Sequence, residues 1–96
     1  MRADYDSKAD TIQIELEAVE HLERDDIGIP GVVVGLANGR AVLVDVIGID
    51  AGVDERLRAA AKIHGLDAEA LIAAATAARA APDRTITLDV AIRAAA

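Results

Sequence analysis

The chain has 96 residues and is 53% hydrophobic, but 22 residues are alanine and 27 are Val, Ile or Leu, with one Tyr, one Met and no Phe, Trp or Cys. Such a composition fits a single domain spanning residues 1–96 around a thin aliphatic core, and it excludes disulfides, thiol catalysis and cysteine-based zinc sites. The net charge of -7 is uneven, with nine acidic and three basic side chains in residues 1–26, two and one in residues 27–53, and six and six in residues 54–96, so the first quarter repels nucleic-acid phosphate and anionic lipid.

Arg2 to Asp6 is predicted to form a short strand and Ser7-Lys8-Ala9-Asp10 a turn. A second strand begins at Thr11, because Ile12, Ile14 and Leu16 alternate with polar residues. Glu15 to Arg24 stays open between strand and helix, since Leu16, Val19 and Leu22 also fall at helical spacing among strong helix formers. Asp25-Asp26-Ile27-Gly28 and Pro30-Gly31 punctuate the chain as turns. Val32 to Leu36 and Ala41 to Ile49 then read as strands joined by Asn38-Gly39, the dipeptide favoured where a type I′ turn needs positive φ at both central residues. In the second of these, Val42, Val44 and Val46 form one face and Leu43, Ile47 and Ile49 the other, which predicts cover on both sides.

Residues 54–81 supply helices for that cover. Asp54 is the expected N-cap, Leu57, Ala60, Ala61 and His64 follow at helical spacing, and Gly65 is the expected stop. Asp67 caps a second helix through Glu69, Leu71, Ile72, Ala75 and Ala78, which must end before Pro82. Thr85 to Val90 alternates once more, with Ile86, Leu88 and Val90 apolar, and predicts a final strand over 85–90. The predicted fold class is α+β: an antiparallel sheet of short strands, two alanine-rich helices packed on one face, and a C-terminal strand.

Two resemblances follow from these residues. Tyr5-Asp6-Ser7-Lys8-Ala9-Asp10, followed by Thr11-Ile12-Gln13-Ile14-Glu15-Leu16, resembles the opening of a bacterial family called domain of unknown function 2283, and Val32 to Ile49 around Asn38-Gly39 resembles its hairpin. The similarity covers about residues 1–50. It implies an antiparallel sheet of short strands, tips Glu17 to Arg24 towards strand, and implies no catalytic residue or cofactor. The chain departs from the family form in its Gly28-Ile29-Pro30-Gly31 turn and its C-terminal half. Leu57 to Ile72, within the helix pair at 54–81, is similar to the helices of ribbon-helix-helix antitoxins and repressors, and Ala61, Gly65 and Leu71 also fit a helix-turn-helix. Such proteins read DNA through basic or amide side chains on the strand before the first helix, or through the second helix. Here Val46-Ile47-Gly48-Ile49-Asp50 offers no such donor, and Asp67 to Ala81 holds one basic residue, Arg79.

Catalytic candidates are few. His21 and His64 are far apart in sequence and belong to no His-x-x-x-His pair, and Ser7 lacks a Gly-x-Ser-x-Gly setting. His64 precedes the helix-terminating Gly65, where a cation suits the helix C-terminus. Asp4, Asp6 and Asp10 do not follow the spacing of a calcium loop, Gly35, Gly39 and Gly48 do not form a phosphate loop opening a helix, and Tyr5 reads as a packing residue. No catalytic, cofactor-binding or metal-ligating residue is assigned. The sequence contains no 18-residue apolar run and no signal-peptide pattern at its N-terminus, which predicts a soluble, cytoplasmic protein without membrane association. The expected function is that of a small non-enzymatic interaction or regulatory module, homodimeric and open to a further protein partner, with nucleic acid disfavoured. The alternative is an antitoxin-like DNA-binding repressor, while a small hydrolase or isomerase lacks a nucleophile and base pair.

Overall fold

Two local hairpins build the centre of the sheet. The computed structural model describes residues 1–88, in which strands β1 (Arg2–Asp6), β2 (Thr11–Glu15), β3 (Arg24–Asp26), β4 (Val32–Ala37) and β5 (Arg40–Ile47) are followed by a 3₁₀ turn (Ile49–Ala51), helices α1 (Val53–His64) and α2 (Ala68–Ala80), and strand β6 (Ile86–Thr87). The six strands form one antiparallel sheet in the order β3-β4-β5-β2-β1-β6. Asp6 starts the first turn by accepting from the backbone N–H of Lys8 at 3.0 Å and of Ala9 at 3.1 Å, the turn-making habit of a short carboxylate. In the second hairpin Asn38 and Gly39 hold φ of 53° and 75°, the two positive values that the dipeptide predicts.

Period-two alternation sends Ile12, Ile14, Val32, Val34, Val44 and Val46 to one face, where they are buried under the helices. α1 packs over β4 and β5, and α2 over β1 and β2. Ala70, Leu71, Ala74, Ala75 and Ala78 make up the buried side of α2; a face of mostly methyl side chains lets a helix lie close on the sheet while burying little area per residue. Nine of the twenty buried hydrophobic residues among those described are alanine.

The helix ends follow local chemistry, with one shift. α1 begins two residues earlier than the sequence suggests: Gly52, at φ 87°, occupies the cap, and Asp54 and Glu55 lie in the first turn, where carboxylates suit the helix dipole. Gly65 ends the helix at φ 66° with its N–H bonded to the Ala61 carbonyl. Asp67 caps α2, accepting from the Ala70 N–H at 3.2 Å. Arg56, which sequence periodicity does not single out, clamps the sheet to α1: its guanidinium donates to the carbonyls of Ile47 at 2.7 Å and Gly31 at 3.2 Å, and also to that of Gly48.

Three expectations are corrected. Residues 17–23, drawn towards strand by the family resemblance and towards helix by spacing, form neither; β3 starts only at Arg24. Both helices lie on the same side, so among the described residues the second face has no helical layer and is covered only in part, where Leu22 rests over Gly35. Among the described residues the final strand covers only Ile86–Thr87 of the expected 85–90: β6 pairs with β1 through Ile86 opposite Ala3 and Thr87 opposite Arg2, the Leu88 N–H donates to the Met1 carbonyl at 2.8 Å, and Asp89 and Val90 lie outside the described residues. The edge that this strand needs is therefore found within the chain. Among the described residues no helix is long and apolar enough to cross a membrane.

Candidate functional site

The second face of the sheet is the side left without helices, and strand register fixes which residues it carries. One row runs Asp4, Gln13, Asp45 and Val33 across β1, β2, β5 and β4. On one side of it lie Asp6, Thr11 and Ile47, and on the other Thr87, Arg2, Glu15, Leu43, Gly35 and Asp25. The face is thus acidic with an apolar flank: Ile47 is 49% exposed, while the Arg2 guanidinium is held by Glu15 at 3.0 and 3.1 Å.

A bulge shapes one end of this face. Gly35 pairs with Leu43 and Leu36 with Ala41, so Val42 is an extra residue on β5. Its carbonyl accepts from the N–H groups of Leu16 at 2.8 Å and Glu17 at 3.3 Å, which turns the chain out of β2 so that Val19 and Leu22 reach the open face. Leu22 comes to rest over Gly35: a Cβ there would stand 3.1 Å from both Leu22 methyls and 3.2 Å from the Leu43 Cβ. Leu22, Val19, Leu43, Gln13 and Glu15 border a shallow depression of about 170 Å³. The Asp4, Gln13, Asp45 row lies beside this partial lid.

Asp45 is the anomaly of the face. It occupies the middle of the central strand, where carboxylates are depleted, and its Oδ1 is buried without a hydrogen-bond partner among the described residues. Burial is the main reason its carboxyl is held above the ordinary range; Asp4 and Asp25 push in the same direction, and the polar side chain of Gln13, opposite it in the ladder, opposes them. Asp4 is likewise raised, first by burial and then by Asp6. Sequence alternation places Asp45 opposite Val44 and Val46 in facing, but nothing in a single strand marks it as partly buried; that depends on neighbours from three other strands.

The remaining residues that the sequence brings forward serve local structure. Tyr5 donates its hydroxyl to Asp10 Oδ1 at 2.8 Å, and that acceptor chiefly raises the phenol. Ser7 gives both its N–H and its hydroxyl to Asp83, at 2.9 and 2.7 Å, which lowers the Asp83 carboxyl. His64 Nε2 lies 3.0 Å from Asp26 Oδ2 and ties the end of α1 to the edge strand β3. His21 is exposed in the connection before β3. A second cleft of about 240 Å³ is lined by Leu16, Glu17, Arg40, His64 and Leu66, but its Arg40 and Glu17 satisfy each other at 2.6 and 2.9 Å, and the contact lowers the Glu17 carboxyl. Among the described residues no group of three or more histidines and carboxylates is arranged to hold a metal ion. In comparisons with known proteins, no family model, no curated protein and no solved structure matches the chain.

Proposed function

We propose that the protein is a small non-enzymatic interaction module whose helix-free sheet face is the working surface. The observation that carries this reading is Asp45, a carboxylate with a buried, unpaired oxygen at the centre of that face. An antiparallel sheet can present one face to water without cost, yet a solvated face gives no reason to bury part of a charge. Residues 1–50, which resemble the domain of unknown function 2283 family, supply five of the six strands; membership of that family is part of the proposal.

The proposal includes a cytoplasmic homodimer. An alanine-rich core leaves Ile27 73% and Ile63 61% exposed, and the Asp26 to His64 contact brings the neighbours of these two residues to one corner of the molecule. A twofold contact at that corner leaves the acidic face accessible. Light scattering should give about twice the 10.0 kDa chain mass, reduced towards one chain by Ile63→Lys; a monomer at every concentration refutes the dimer.

DNA reading draws little support. β5, the strand before α1, is hydrogen-bonded to β4 on one side and β2 on the other, so it leaves no free ribbon for a groove. Gel-shift titration with mixed duplex at low salt should therefore show no complex whose strength falls steeply with salt. To test the module itself, a photocrosslinking side chain is placed at Gln13 on the open face or at Arg58 on α1 in cells that make the protein. Adducts larger than a dimer are expected from Gln13; their formation from Arg58 alone refutes the assigned face.

A further inference from the structure

We infer that the open sheet face receives a cationic segment of another protein, with a guanidinium or ammonium group seated against Asp45. This rests on reading the face as an interaction surface and adds the chemistry of what it binds.

Charge complementarity selects the occupant. The face carries Asp4, Asp6, Asp25 and Asp45, whereas its Arg2 already faces Glu15 across the ladder. A second copy brought face to face would set these carboxylates against their own kind, which is repulsive, and phosphate or anionic lipid is excluded for the same reason. A single metal ion fits poorly. Asp4 and Asp45 lie on strands separated by β2, roughly 10 Å apart at the backbone, while an ion holds carboxylate oxygens at about 2.4 Å. Charges so distributed suit a segment that brings several cations at intervals, and same-side residues of an extended chain recur roughly every 7 Å. Ile47 and Val33 flank Asp45 and offer apolar contact to the aliphatic stems of arginine or lysine. A cationic donor that reaches the exposed part of this half-buried carboxylate offsets some of the cost of its partial burial.

The test uses the full chain, labelled with ¹⁵N and titrated with a synthetic peptide alternating arginine and valine, beside a matched peptide with glutamine in place of arginine. The arginine peptide should shift the amide signals of Gln13, Val33 and Asp45, weaken as salt is raised, and bind Asp45→Asn on the order of tenfold more weakly. Asp4→Asn, a change at the rim, should produce a smaller loss. Shifts confined to the helices, or equal binding by Asp45→Asn and the parent, overturn the inference. Tight binding of the glutamine peptide on the same residues would keep the face as an interaction surface and sink its cationic preference. If Arg93→Gln in the free chain moves these same signals, the occupant is the chain's own C-terminal segment, and the inference fails.

Discussion

Replacing Asp45 by asparagine should make the protein more stable at neutral pH, although it alters a residue at the centre of the sheet. The side chain keeps its shape opposite Gln13, loses the charge, and gains an N–H₂ that can serve as a donor. A buried group left unpaired costs roughly 1–3 kcal/mol; because the carboxylate is only partly buried, about 1 kcal/mol is the expected gain. For a domain of this size that corresponds to a rise of roughly 4–8 °C in midpoint temperature. pH sharpens the test. Burial in the folded protein holds the Asp45 carboxyl above the ordinary aspartate range, so this group destabilises the fold at neutral pH and the penalty fades as pH falls through its raised value towards the unfolded one. Asparagine carries no such dependence. Urea titrations of both proteins from pH 7 to pH 4 should show the variant ahead at pH 7, with its lead shrinking on acidification. A variant less stable than the parent at pH 7, or a lead that stays constant with pH, would falsify the account of Asp45 as a partly buried, uncompensated charge.

Other perturbations address the frame around the face. Gly39→Val should destabilise the fold by about 1–2 kcal/mol through the left-handed backbone alone, since nothing lies within 4 Å of the space its side chain would enter at φ 75°; an unchanged denaturant midpoint would exclude a type I′ turn. Arg56→Ala should cost about 2 kcal/mol by removing donors from the carbonyls of Gly31, Ile47 and Gly48, whereas Arg56→Lys should recover only part because an ammonium cannot reproduce the fork. A denaturation midpoint for Arg56→Ala equal to the parent's would mean that water replaces these bonds.

The elements most legible in the sequence are those whose signal is local. Asn38-Gly39 dictates its own turn, Asp67 and Gly65 mark helix ends by chemistry acting within a few residues, and the Ile12, Ile14 pattern identifies the buried face of β2. What escaped depends on partners distant in the chain. Residues 17–23 carry both helical and strand patterns, and neither prevails because the bulge at Val42 and the seat over Gly35 bring Val19 and Leu22 to the open face instead. The apolar side chains of Leu43 and Ile47 suggested a second covering layer, but the register sets Asp4, Gln13 and Asp45 among them. Asp54 was the obvious cap by residue type, yet Gly52 can adopt the positive φ needed after the 3₁₀ turn. Asp45 itself reads as one polar residue in an apolar strand; its buried oxygen is a property of the assembled sheet.

The neighbouring placement of the first and last described strands sets how the sheet opens. β5 spans eight residues and is paired along both edges, whereas β6 is held to β1 by two paired positions and the Leu88 to Met1 bond. Opening free energy should therefore rise from the β6 edge towards the middle of the sheet. In native-state hydrogen exchange, the Leu88 amide should exchange through local fraying, at a rate insensitive to low denaturant, while the Val44 and Val46 amides should wait for global unfolding. Asp45 stands in that slowest-opening strand, so its charge is borne by the part of the molecule least able to yield.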